Sequence, residues 1–270
     1  MQTFPLSVVI MSYNEEKNIG RCIDSVRWIA DEIIVLDAYS TDNTVALAQQ
    51  KGAIVKQQAF ASNIQQKNKA MLLTKFNYVL SLHADEALSI DLANAILEAK
   101  RHSNFKAFTM NHCTCFRGQF IRHGIWYPDK KLRLFDKRFA RYSGRYPHDK
   151  IELVISMPVA YLEGEILQYS FNSFTDFLEH NEIIASSAAQ SLFETNRKFG
   201  IAKMIFSPVW SFVNGYFFRL GFLDGYNGLL IAIYTANQSF KQYQKLQQLQ
   251  KRSPTISSTL SLTQPIKAAV

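Results

Sequence analysis

Three short polar clusters in this sequence could do chemistry together. Ser12-Tyr13-Asn14-Glu15-Glu16 follows the apolar run Leu6–Met11, Asp37-Ala38-Tyr39-Ser40-Thr41-Asp42 follows Glu32–Leu36, and His83-Ala84-Asp85-Glu86 follows Tyr78–Leu82. Carboxylates of this kind can hold a divalent cation against a diphosphate. Tyr13 offers a stacking face for a planar ring, and Asp37 can accept from a base or a ribose. A further carboxylate acting as general base would take a proton from an incoming hydroxyl. Singly, each residue has a plainer reading. Asp37 and Asp42 serve equally as turn and cap residues, Asp85 and Glu86 as a loop before a helix, and Tyr13 as a half-buried aromatic. Their joint order and spacing carry the weight.

The elements that must position these clusters alternate. The run Leu6–Met11 is continuously apolar, as in a strand buried on both faces. Lys17–Trp28 carries Ile19, Cys22, Ile23 and Val26 at helical spacing. Short apolar runs at Glu32–Leu36, Ala53–Lys56 and Tyr78–Leu82 alternate with helical stretches from Asp42 to about Gln50, over Phe60–Leu73 and over Ser89–Arg101. Asp42 can cap the second helix and Gly52 end it. Such alternation predicts an α/β domain built on a mostly parallel, doubly wound sheet. In such sheets ligands bind beyond the carboxyl ends of the strands, where the three clusters fall.

From Phe105 the pattern changes to short strands and turns around a basic stretch. Arg117–Lys150 holds ten Lys and Arg against three Asp, or +7 within a chain of net charge +8. That density suits phosphate or an anionic membrane surface, and equally a solvated basic face. Beyond about Gln168 the composition turns helical, over Ser173–Phe193, Ile201–Tyr216 and Gly221–Leu249, and from Ser253 a Ser/Thr/Pro-rich tail is expected. Three cysteines, Cys22, Cys113 and Cys115, form no framework and read as free thiols of a reducing compartment. The first residues lack a positive leader, so no signal peptide is expected.

The segments VVIMSYNEEKNIGRCIDSV, IIVLDAYSTDNTVALAQQKGA and YVLSLHADE together resemble family-2 glycosyltransferases. GIWYPDKKLRLFDK, PHDKIEL and GFLDGYNGLLIAIYTA resemble more narrowly the branch of lipopolysaccharide-core β-1,4-glucosyltransferases. The resemblance implies a GT-A nucleotide-diphospho-sugar transferase fold and an inverting transfer of a hexose from a nucleotide sugar, UDP favoured, to a lipid-linked glycan. It implies that Tyr13 and Asp37 contact the nucleoside, that Glu15 lies in the first nucleotide-binding loop, and that Lys67 and Asn68 lie near the donor. Asp85 would bind the divalent metal, Mn2+ or Mg2+, and the diphosphate. Asp129, Lys130, Lys131 and Arg133 match the branch block, the basic residues serving phosphate or acceptor.

Two departures stand out. His83 occupies the first Asp of the usual Asp-x-Asp motif; histidine ligates transition metals but is a poor magnesium ligand. Either Asp85 alone is the direct ligand, or metal use or activity has changed. Asp149 follows His148 where the branch has His-Glu. Asp149 is the first candidate for general base and Asp129 the second, with His83 and His148 as additional metal-ligand candidates beside Asp85.

Residues 1–167 are thus expected to form the catalytic domain, 168–252 a helical membrane-associated or oligomerisation region, and 253–270 a flexible tail. Met204–Phe240 is rich in aromatic and aliphatic residues, and Gly215, Gly221, Gly225 and Gly228 break it into short pieces. It reads as helices lying in a membrane interface, or as a helical hairpin packed on the catalytic domain or on another subunit. The first reading puts the protein on the inner face of the cytoplasmic membrane. The loop SYNEE argues against a nucleotidyltransferase, which needs a Gly/Arg/Lys-rich loop there. No nucleic-acid recognition motif supports the basic stretch as a nucleic-acid surface. A basic membrane- or nucleotide-binding protein and a weakened homologue stand as the alternatives.

Overall fold

A computed structural model describes residues 4–60, 62–102, 104–144, 150–171, 186, 189–190, 192–193 and 201–260. His148, Asp149, the tail beyond residue 260 and most of the helix expected over Ser173–Phe193 lie outside them.

The chain divides into two compact units: residues 1–122 with 126–172, and residues 123–125 with 173–270. The first is built on one large sheet. Its strands are β1 (Leu6–Ser12), β2 (Glu32–Asp37), β3 (Ile54–Gln57), β4 (Tyr78–His83), β5 (Glu86–Leu88), β6 (Ala107–Phe116), β7 (Gln119–Phe120), β8 (Asp129–Asp136) and β11 (Ala160–Phe171). The order is β3-β2-β1-β4-β8-β6-β11-β5, with β7 on β6. A separate hairpin pairs β9 (Ala140–Ser143) with β10 (Lys150–Leu153). Helices α1 (Ile19–Val26), α2 (Thr44–Gln50), α3 (Asn63–Leu72) and α4 (Ile90–His102) connect the first strands.

The pairs β3-β2, β2-β1 and β1-β4 are parallel, as the alternation predicts. The sheet then becomes mixed, because β8 inserts antiparallel between β4 and β6. The chain between β6 and β8 holds only β7 and a single 3-10 turn, with no crossover helix, so it returns antiparallel.

β1 shows why a continuous apolar run is needed here. Leu6, Val8 and Ile10 enter one core cluster with Ile19, Cys22, Ile23 and Val26 of α1. Val9 and Met11 enter a second cluster on the other face with Ala70 and Met71 of α3. Each such aliphatic side chain removed from water contributes about 1.5–3 kcal/mol. Register then fixes the strand ends: Ser12 lies opposite Asp37, and Met11 opposite His83.

The described part of the second unit comprises α5 (Ile201–Val213), a π-helical turn (Asn214–Phe218), a 3-10 turn (Gly221–Asp224) and α6 (Gly225–Leu260). Two expectations need correction. First, α6 runs unbroken past Gly228 and through Ser253 to Leu260, since extending an existing helix costs far less than starting one. Second, Gly215, Gly221 and Gly225 do fall at the turns that divide α5 from α6, but Gly228 breaks nothing and is a close-approach position: a Cβ on it would lie 1.8 Å from the Gly221 carbonyl oxygen. Segment 123–125 is tied into this unit. Asp224 is 5% exposed and accepts from the His123 backbone N–H at 2.8 Å, with His123 Nδ1 3.1 Å from its other oxygen. No described helix is long and apolar enough to cross a membrane.

Candidate active site

The loops after β1 and β2 are laced together by side-chain bonds. The Asn14 backbone N–H donates to Ser40 Oγ at 2.8 Å, and the Thr41 N–H returns to Asn14 Oδ1 at 2.8 Å. Glu15 N–H donates to Thr44 Oγ1 at 2.7 Å, and Asn43 N–H to Glu16 Oε2 at 3.1 Å. Asn14 and Tyr39 hold the left-handed conformation, at φ 53° and 61°, which non-glycine residues adopt rarely, asparagine more readily than tyrosine.

These loops wall a cavity of about 670 Å3 with α3 and the end of β4. Its size falls in the range of small-molecule sites. Tyr13, Glu15, Lys67, His83 and Asp85 line it, as do Phe60 and Gln66, which the sequence reading missed. Tyr13 is 58% exposed, leaving its ring open to a stacking partner. Lys67 lies 5.2 Å from the Tyr142 ring centroid, a cation placed where an anion could sit. Glu15 accepts from Asn18 Nδ2 at 2.8 Å, while burial, followed by the charges of Asp85 and Asp42, outweighs that bond and raises its carboxyl.

Asp85 is fixed from its backbone outward. Its carbonyl accepts the Tyr169 N–H at 2.8 Å, and its carboxylate accepts from Gln168 Nε2 at 3.2 Å. Glu86 turns the other way. It is 2% exposed and accepts from the His83 N–H at 2.8 Å, from Arg133 Nη2 at 2.7 Å and from His112 Nε2 at 3.1 Å. Burial alone would raise this carboxyl, but Arg133, then His112 and His83, outweigh it and hold it well below the usual carboxylate range. Burial is also the largest influence on His83; with Lys67 and Arg133 it outweighs Glu86 and Asp85 and lowers the imidazole, favouring the neutral form.

Several residues singled out in the sequence do not line the cavity. Asp37 is fully buried: one oxygen accepts from Ser12 Oγ at 3.1 Å and from Ser40 Oγ, the other from Ser40 N–H at 2.8 Å and Gln57 Nε2 at 3.3 Å. Both oxygens serve to fix the loop. Asn68 exchanges two bonds with the Tyr142 backbone, each 2.9 Å, and so pins α3 to β9. The three basic residues of β8 part company. The β8 register with β6 shifts at Arg133, between Leu132 and Leu134, and such bulges re-aim a side chain; here the guanidinium reaches inward to Glu86 and to the Ser81 carbonyl at 3.3 Å. Lys131 pairs with Asp129 at 3.1 Å. Lys130 lies over the Tyr161 ring at 4.9 Å. Asp129 also stands 3.9 Å from His112 Nδ1. His112 is thus flanked by two carboxylates, a placement that only the strand register reveals.

Among the described residues, no group of three His, Cys, Asp or Glu side chains could by itself hold a metal ion. The donor set nonetheless fits a hard cation of the magnesium type, which takes one or two carboxylates and completes its shell with substrate phosphate and water. Asp85 supplies one such carboxylate at the cavity wall, whereas Glu86 is committed to Arg133.

The family model described as Glycosyl transferase family 2 matches residues 7–151. An uncharacterized glycosyltransferase of Rickettsia typhi is 28% identical over 261 residues, covering 93% of this chain and 89% of the relative. The glycosyltransferase SunS of Bacillus subtilis shares 58% identity over 36 residues, 13% of this chain and 8% of that protein. Among solved structures, S. aureus TarS 1-349 is similar at 15% identity and TM-score 0.44, covering 92% of both chains. Mannosyl-3-phosphoglycerate synthase from Rubrobacter xylanophilus is similar at 17% identity and TM-score 0.47, covering 73% of this chain and 76% of that one.

Proposed function

The chain belongs to glycosyl transferase family 2, and from that premise we propose an inverting transfer of a hexose from a UDP-sugar to a lipid-linked cell-surface glycan such as lipopolysaccharide core. The observation that carries this reading is the cavity at the aligned ends of β1 and β4, which gathers an open tyrosine ring, a lysine and a fixed carboxylate. Tyr13 would stack on the base, Lys67 would face the diphosphate, and Asp85 would hold a divalent cation, Mn2+ or Mg2+, with the diphosphate oxygens. When bound, that cation neutralises charge on the departing diphosphate.

In the proposed displacement the acceptor hydroxyl oxygen bonds to the anomeric carbon. The bond from that carbon to the phosphate oxygen breaks, and the nucleoside diphosphate leaves with the electron pair. A carboxylate takes the hydroxyl proton. Asp149 is the first candidate for that base and lies outside the described residues. Asp129, the second, has a side chain 40% exposed at the start of β8. Residues 1–167 are proposed as the catalytic domain.

We assign a membrane-contacting role to 168–252 on its exposed aromatic surface. Phe206 is 71% exposed, Trp210 61%, Phe218 68% and Tyr226 65%. Aromatic side chains of this kind favour the interface between headgroups and acyl chains. The proposed location is the inner face of the cytoplasmic membrane, where a lipid-linked acceptor would be met.

The test is binding of UDP and UDP-sugars with and without Mn2+ or Mg2+, for the parent and for Asp85→Ala. Metal-dependent binding that the variant loses is expected. A folded protein that binds no nucleotide under either metal overturns the reading. His83 supports one competing reading, a weakened enzyme. A large gain in donor hydrolysis on His83→Asp would favour it, and unchanged or lower hydrolysis would reject it.

A further inference from the structure

A second cavity, of about 530 Å3, lies wholly within the first unit and shares no lining residue with the first. It opens where β6, the residues before β8, β11 and the start of α4 meet. Asn111 of β6 lines it. Asn111 and His112 are consecutive in a regular stretch of strand and so point to opposite faces of the sheet. The second cavity and the His112–Glu86 cluster are therefore on different faces.

Its floor is a rigid chain of hydrogen bonds with one direction. Arg122 donates to both Glu165 oxygens, Nη2 at 2.6 Å and Nε at 3.3 Å. Tyr127 Oη donates to Glu165 Oε1 at 2.9 Å and accepts from Asn111 Nδ2 at 3.1 Å. Burial, followed by Glu165, pushes the Tyr127 hydroxyl up to about 12, so it keeps its proton. That proton is committed to the carboxylate, so the Asn111 amide must turn its nitrogen toward Tyr127. Asn111 Oδ1 is left buried with no donor. The backbone around Glu165 is equally fixed: its N–H donates to Ser89 Oγ at 3.0 Å, and the Ser89 N–H donates to its carbonyl at 2.9 Å. Gly164, at φ 97°, allows this approach, since a Cβ there would lie 2.3 Å from the Leu92 nitrogen.

Charge decides the ligand class. Three carboxylates, Asp91, Glu163 and Glu165, line the cavity against one guanidinium, Arg122, which bonds to Glu165, with Lys130 over the Tyr161 ring beside it, so the lining favours an uncharged ligand over an anion. What the site offers is an aromatic wall in Tyr127 and in Tyr161, the latter 45% exposed with Lys130 over one ring face, the exposed carboxylates Asp91 and Glu163 as hydroxyl acceptors, and behind them the buried Asn111 oxygen that lacks a donor. Hydroxyl-rich, uncharged rings with apolar faces satisfy both demands.

We propose that the Asn111–Tyr127–Glu165 cavity is a second glycan-binding site that takes a neutral sugar residue of a saccharide chain, independently of the nucleotide cavity. It rests on the glycosyltransferase reading only for its use, which is to retain an extended acceptor by a sugar remote from the reacting hydroxyl. Binding energy from such remote contacts can support the reaction.

The test uses the full chain and ligand-observed NMR with maltose, cellobiose and lactose. At least one disaccharide should bind, with affinity unchanged by saturating UDP and unchanged in Asp85→Ala. Tyr127→Phe, nearly isosteric, and Asn111→Ala, which deletes the unpaired acceptor, should each weaken it about tenfold. Failure of all three sugars to bind overturns the proposal. So does displacement by UDP, or binding that neither variant changes. Binding of an oligolysine peptide in place of any sugar also overturns it, by making the acidic rim the recognised feature. Loss of nucleotide binding would bear on the donor reading and leave this one standing.

Discussion

Glu86 stands beside Asp85 in the sequence, yet the two carboxylates have opposite fates. Asp85 faces the cavity, while Glu86 neutralises Arg133 inside the fold and holds the His83 amide. Removing one member of a buried pair strands the other charge. Glu86→Gln should therefore cost about 3–5 kcal/mol of unfolding free energy, read by urea denaturation. The pH dependence has a definite sign. The folded-state carboxyl titrates below its ordinary value of 4.5, so its stabilisation is complete above that pH and declines as pH falls toward the folded value. Acid unfolding followed below about pH 4.5 should accordingly be shallower in Glu86→Gln than in the parent. Equal slopes would show that Glu86 does not carry the charge.

At the scale of elements, α3 hangs on β9 through Asn68, whose amide imitates a strand partner for Tyr142. Asn68→Ala leaves a backbone N–H and a carbonyl there without their partner, so a loss of about 1–3 kcal/mol is expected in thermal unfolding. An unchanged melting temperature would mean water replaces the amide. Asn68 also shows where sequence reading stops. The strands β1, β2 and β4 were legible because a strand covered on both faces must be continuously apolar, and their ends located the cavity. Gly52 was legible as a local helix end, at φ 86°, whereas the helix start falls one residue later than read: Asn43 is the N-cap of α2, and Asp42 accepts the Thr44 N–H at 3.0 Å from just before it. The inward turns of Glu86 and Arg133 were not legible, because both depend on contacts between residues 47 apart and on a bulge that no local pattern encodes. Nor was the antiparallel insertion of β8, which follows from pairing partners distant in sequence. Asp37 sat between two readings, turn residue and ligand contact, that only its partners could separate.

At the scale of the whole molecule, a net charge of +8 accompanies an exposed aromatic surface on the second unit. Together these predict cosedimentation with phosphatidylglycerol vesicles that weakens as salt rises. Phe206→Ser with Trp210→Ser should lower that partitioning about tenfold or more, since each ring buried in lipid contributes about 1.5–3 kcal/mol. Vesicle binding that the double variant leaves intact would remove this surface from the membrane reading. One feature of the first unit reaches further. Much of the cavity wall comes from residues at or just beyond the ends of paired strands, such as Tyr13, Ala38, His83 and Asp85, while the residues that hold the sheet together lie before those ends. Wall and framework are thus mutationally separable. A lineage of such chains can drift at positions 13, 38 and 83 and change what it recognises while the core is spared.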